Sequence, residues 1–269
     1  MNQPQTTTER VSLSRVLLPT EHGGWAFLAE PVFLGSLVAF SWAGLAIALA
    51  AVAGFLARQP LRLFVMDRRR LRRHPRTAVA EQAFAGSAVV GALALAAGGL
   101  LAKRPFLVPL GLAAPLAALA LALDLDRRAR EVAAEVAAAV ALASVASAIA
   151  LAGGWSMAHA LGLWGILAAR AVPTILYVRA RLRLDRREPA GVAGAIAAHA
   201  LAIAGTALLA GRGVVPWSAA GAITLLAARC AYGLSAVRPA MTTKQIGISE
   251  AIFGAITVFA TVWGAMTEA

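Results

Sequence analysis

Cysteine and lysine are almost missing from this chain, and acidic residues are scarce. The single cysteine, Cys230, excludes an internal disulfide framework and a multi-cysteine zinc cluster. Lys103 and Lys244 are the two lysines, so the basic character is carried by arginine. Charge of either sign is low: 14% of the 269 residues are Asp, Glu, Lys or Arg, against about 25% in soluble domains. Also missing are GxxxxGK[ST], GxGxxG after a strand, HExxH and GxSxG, so no common nucleotide-binding, zinc-protease or serine-hydrolase signature is present.

What the chain does have is apolar length. Its residues are 60% hydrophobic and the mean hydropathy is +0.74, which calls for lipid as the solvent. A membrane helix needs roughly 20 apolar residues to cross a core of about 30 Å. Nine segments reach that length, at about 23–41, 44–66, 78–101, 106–123, 131–153, 159–180, 190–210, 217–236 and 246–267. The expected fold is all-α, a polytopic transmembrane bundle of about nine helices. Residues 1–22 read as a polar cytoplasmic arm without a cleavable apolar core, and 23–267 as one transmembrane domain.

The arginines set an orientation, because inner loops carry the excess of positive charge. With nine helices, one side receives Arg10 and Arg15, the run from Arg58 to Arg76, Arg127 to Arg130, Arg179 to Arg187, Arg238 and Lys244. The other receives Lys103, Arg104 and Arg212. The amino terminus is therefore expected inside and the carboxyl terminus outside. The net charge of +12 is topological on this reading, and no nucleic-acid partner is expected. Its ordinary role is to hold loops inside, against anionic lipid headgroups.

Ionisable residues within membrane helices are costly, and each is a candidate for function. Glu30, Arg170, His199 and Arg229 lie well inside spans, roughly 10–13 Å from the inner helix ends at about 1.5 Å per residue. Their shared depth suggests a polar cavity open to the cytoplasm, with Glu30 paired to Arg170 or Arg229. A buried pair that only fixes helix packing is the competing reading. His199, on an Ala-rich helix, reads as an interface histidine, and no metal or cofactor is expected.

Nearer the inner surface, Arg58 and Arg62 stand one turn apart on the second helix. Glu131 and Glu135 share a face of the fifth. Arg170 and Tyr177 line a stripe of the sixth that continues to Arg181. Lys244, Gln245 and Glu250 open the ninth. Pro60, Pro109, Pro115 and Pro173 are positions where a membrane helix can bend.

The opening Leu18-Pro19-Thr20-Glu21-His22-Gly23-Gly24-Trp25-Ala26, with Pro31 and Gly35, resembles the YwiC-like family of bacterial membrane proteins. That resemblance implies a multi-pass protein of the bacterial cytoplasmic membrane, with Glu21 and His22 as signature polar residues. It supplies no established activity. The helix count and the basic loops after the second and sixth helices also look like the UbiA-type intramembrane prenyltransferases. Those enzymes carry Asp-rich magnesium motifs at both places. Here the first place runs from Arg58 to Asp67 and the second from Arg170 to Arg179, with Asp67 the one acidic residue in either.

Arginine binds phosphate oxygens directly, without a bridging metal. Arg58, Arg62, Arg179 and Arg181 are therefore expected to form an anion site at the cavity mouth, for a lipid or polyprenyl phosphate or an anionic small molecule. Glu21, His22, Glu30, Asp67, Glu135, Arg170, Tyr177 and Arg229 complete the candidate ligand-binding set. Three functional classes stay open: a divergent prenyltransferase-like lipid binder, a carrier for a small anionic solute, and an assembly partner without catalysis. Membrane lipids are the expected partners in each. A path reaching the outer face would favour the carrier.

Overall fold

A computed structural model of the chain describes residue 16, residues 22–71 and residues 74–268. Among the described residues it contains nine long helices and no strand. They are α1 (His22–Val38), α2 (Trp42–Arg69), α3 (Pro75–Leu101), α4 (Leu107–Leu125) and α5 (Val132–Ala152), then α6 (Met157–Asp185), α7 (Val192–Gly211), α8 (Trp217–Leu234) and α9 (Thr243–Thr267). The nine expected segments map onto them one for one.

Local chemistry sets many of the boundaries. Ser41 caps α2 by accepting from the Gly44 N–H at 2.9 Å, and Thr242 with Gln245 forms a reciprocal capping box at α9. Pro75 stands at the start of α3, where its missing N–H would be unpaired in any case. Pro109 falls in the first turn of α4 for the same reason, whereas Pro31, Pro60, Pro115 and Pro173 lie inside their helices.

Seven of the nine helices are long and apolar enough to cross a membrane by themselves. The apolar part of α1 is shorter, Gly24–Val38, and α8 carries Arg229 within 18 residues. Both are supported by packing instead. α1 lies against α5 and α9, and α8 against α7, α9 and α6. Gly35 lets α1 approach closely, since a Cβ there would come within 2.8 Å of Ile149 Cβ on α5.

α5 and α6 form the centre, with Ile149, Leu151, Ala160 and Ile166 fully enclosed. The periphery inverts the pattern of a soluble protein. Leu100 is 88% exposed, Leu201 74%, Phe259 64% and Trp263 67%, an apolar outer surface suited to acyl chains. One end of the bundle gathers the Arg-rich segments at the ends of α2, α4, α6 and α8. The other has Trp42, Trp155, Trp217 and Trp263, a distribution typical of an interfacial aromatic belt.

Candidate functional site

Two polar layers build up from the basic end. The shallower one starts at Asp124, in the last turn of α4, which is buried although it carries charge. Arg58 on α2 donates from Nε to Asp124 Oδ2 at 2.7 Å, and Arg62, one turn further, sits 3.6 Å from Oδ1. Two guanidiniums thus face one carboxylate, and both arginine side chains keep about a third of their surface exposed. The longer contact is not a hydrogen bond: Arg62 Nε and Asp124 Oδ1 are both buried without a partner.

Around this pair the remaining candidates at the basic end take separate partners. Asp67 accepts from the Thr77 hydroxyl at 2.8 Å and from Arg76 at 3.1 Å, tying α2 to the start of α3. Arg179 lies 3.5 Å from Glu135 and donates to the Arg130 carbonyl at 2.5 Å. Arg181 is fully buried, bound to Asp185 at 3.0 Å, to the Gly233 carbonyl at 2.6 Å and to the Pro239 carbonyl. Among the described residues the four arginines expected to share an anion site therefore fall into three groups, facing α4, α5 and α8. In the loop before α5, Arg128 donates to Glu131 at 2.6 Å, which holds the Glu131 carboxyl below the usual carboxylate range.

The deeper layer lies inside the bundle. Of the two partners expected for Glu30, the structure shows Arg170, whose Nη2 stands 2.8 Å from Glu30 Oε1. The same nitrogen donates to the Glu250 carbonyl at 2.8 Å. Arg229 pairs with the Glu250 carboxylate and reaches the Thr174 hydroxyl at 3.5 Å. Two arginines and two carboxylates from α1, α6, α8 and α9 thus make one balanced network.

Aromatic faces surround it. The Arg229 guanidinium lies 4.0 Å from the Tyr177 ring centroid and 5.2 Å from that of Phe253, and Arg170 lies 5.5 Å from Phe27. α9 passes the network at Gly254, where an added Cβ would strike Glu30 Oε1 and stand 2.7 Å from Arg170 Nη2. The network is incompletely satisfied on both sides: the donors Arg170 Nε and Arg229 Nε and the acceptors Glu30 Oε1 and Glu250 Oε2 are buried without hydrogen-bond partners. His199, also buried, contacts the Ala195 carbonyl through Nδ1 at 2.8 Å, so Nδ1 is the protonated nitrogen and Nε2 is left without a partner.

Glu21 and the side chain of His22 lie outside the described residues. Among the described residues no three His, Cys, Asp or Glu side chains converge as a metal would need.

Sequence reasoning missed Asp124 altogether and took Glu250 only for a helix opener. A carboxylate closing an apolar helix, on the same side as the arginine loops, was the signal for Asp124. Glu250 carried a weaker one, a second acid about two turns inside its span.

A known family resembles the amino-terminal part of the chain. Residues 18–150 match the family model described as YwiC-like protein. This stretch, just under half of the chain, is similar to the YwiC-like family. The match covers α1 to α5 almost completely, including Glu30, Arg58, Arg62, Asp67, Asp124 and Glu135. Arg170, Arg229 and Glu250 of the deep network lie beyond it. No curated protein and no solved structure matches the chain. The YwiC-like match and the apolar helices together make this a multi-pass integral membrane protein.

Proposed function

We propose that this YwiC-like membrane protein binds the phosphate of a lipid or polyprenyl phosphate at its basic end, through Arg58 and Arg62. The observation that carries the reading is their stoichiometry with Asp124. One carboxylate neutralises one guanidinium, so the pair keeps about one positive charge. Arg62 is held only at 3.6 Å, with its Nε unbonded. Arg62 is thus free to turn toward a phosphate oxygen, and about a third of each arginine side chain is exposed to it. Arg179 is the next candidate contact, while Arg181 has its donors engaged by Asp185 and two carbonyls.

On this proposal the basic end faces the cytoplasm of a bacterial cell, in its cytoplasmic membrane, as loop charge predicts. The architectural likeness to UbiA-type enzymes rests on helix number and loop placement. A prenyltransferase-like activity here would have to proceed without the Asp-rich magnesium motifs, so binding is the primary claim.

The test compares a long-chain polyprenyl phosphate with its parent alcohol, using protein in nanodiscs. Wild type should favour the phosphate, and Arg58→Ala/Arg62→Ala should bind both alike. Equal affinity for phosphate and alcohol in the wild type would sink the proposal.

A second reading, a carrier for a small anionic solute, is favoured by a specific observation. A cavity of about 750 Å³ opens at the end of the bundle opposite the arginine loops. Flux of a labelled anion into proteoliposomes, compared with empty liposomes, tests this reading separately.

A further inference from the structure

The cavity at the tryptophan-bearing end and the deep ion network are joined by one face of α9. The cavity wall takes Val38 from α1, Trp155 and His159 from the start of α6, Trp217 from the start of α8, and Gly264 and Ala265 from α9. Its surroundings are basic. Arg104 donates to the Gly154 carbonyl at 3.0 Å, beside Trp155, and Arg212 directly precedes the wall residue Gly213. Glu268, the acid in the wall, has both carboxylate oxygens engaged by the N–H groups of Trp217 and Ser218, at 2.6 and 3.2 Å.

From Gly264 the helix face runs inward through Thr261, Thr257 and Gly254 to Glu250, and all five residues are buried. Their spacing of three and four keeps them on one side of α9. None presents a bulky apolar side chain to a polar passenger. The stripe ends on groups that lack partners. Arg170 Nε and Glu250 Oε2 have no hydrogen bond, although these residues are only 1% and 9% exposed. Arg170 also points into the stripe, through Nη2 to the Glu250 carbonyl and toward Gly254.

We infer that α9 lines a route for a small oxyanion between this cavity and the Arg170–Arg229 charges. The inference rests on the carrier reading and adds to it the lining helix, the vestibule and the class of passenger. Oxyanions are specified because Arg170 Nε and Arg229 Nε are unsatisfied guanidinium donors, and a protonated one such as dihydrogen phosphate would also donate to the unsatisfied Glu30 Oε1 and Glu250 Oε2. A passenger bound there would add to the network at the unsatisfied Arg170 Nε and Arg229 Nε, leaving the Glu30 and Glu250 pairs in place. In this structure the stripe is closed, with Thr257 1% and Thr261 0% exposed, so passage needs α9 to part from its neighbours.

The test exploits the single native cysteine. In a Cys230→Ala background, cysteines are placed one at a time at Ala265 (cavity wall), Thr261 and Thr257 (stripe) and Phe259 (lipid-facing). Reaction with a membrane-impermeant thiosulfonate is followed in sealed vesicles whose Ala265→Cys thiol is labelled, which fixes the cavity end outward. Thr261→Cys and Thr257→Cys should react an order of magnitude faster than Phe259→Cys, and inorganic phosphate should slow them. Thiols at 261 and 257 as inert as that at 259 would overturn the route. Labelling that neither phosphate nor sulfate slows would overturn the oxyanion. Anion flux with inert stripe thiols would leave the carrier reading standing while removing the route.

Discussion

Replacing Glu30 by Gln keeps the side-chain shape and removes one charge from the deepest ion pair. Arg170 would keep its hydrogen bond to the Glu250 carbonyl but lose the carboxylate 2.8 Å away. The side chains of Arg170 and Glu30 are 2% and 10% exposed, so water cannot readily take the carboxylate's place. Removing one partner of a buried pair costs about 3–5 kcal/mol. Arg170→Leu, which strands Glu30 instead, should cost a similar amount. The double variant carries no stranded charge at this pair, so its loss should fall short of the sum by about 1–3 kcal/mol. The partial balance held by Arg229 and Glu250 keeps the coupling within that range. The assay is equilibrium unfolding in detergent micelles, followed by tryptophan fluorescence, for wild type, both singles and the double. Purely additive losses would refute the coupling and, with it, the view of the four groups as one network.

Other sites give independent checks. Gly254→Ala should lose about 1–3 kcal/mol of stability because its Cβ collides with the Glu30 carboxylate. Gly247→Ala, on the same helix with nothing within 4 Å, should be neutral or up to about 1 kcal/mol stabilising in the same unfolding assay. Asp124→Asn should cost about 1.5–3 kcal/mol by weakening a charged hydrogen bond, yet tighten binding of the lipid phosphate to Arg58 and Arg62. In the loop before α5, Arg128 lowers the folded-state pKa of Glu131, so the stabilisation is full above the ordinary carboxylate pKa and fades as pH falls through the lowered value. Arg128→Ala should return the Glu131 titration, read by carboxyl carbon NMR, to the ordinary range.

The helices were readable because lipid imposes a simple length rule, and the expected boundaries fall within a few residues of those observed. α1 and α8 show where that rule alone falls short. Among the described residues α1 is short for a span, Arg229 dilutes the apolar character of α8, and each helix packs against its neighbours in the bundle. The Glu30–Arg170 pair was accessible by counting depth from the helix ends. The partner of Arg229 was not, because nothing in the sequence places Glu250 on α9 beside α8. The fate of Arg181 was hidden for a similar reason. Two of its partners are the backbone carbonyls of Gly233 and Pro239, which have no sequence signature. The arginines of the basic end look interchangeable by position along the chain, whereas packing gives each helix face a different carboxylate.

The most direct measurement is native mass spectrometry of the protein released from gentle detergent, comparing wild type with Arg58→Ala/Arg62→Ala. A copurifying phosphate-bearing lipid or polyprenyl species, present in the wild type and lost in the double variant, is the result this account predicts. The same adduct at equal occupancy in both samples, or none in either, would contradict a phosphate site at Arg58 and Arg62.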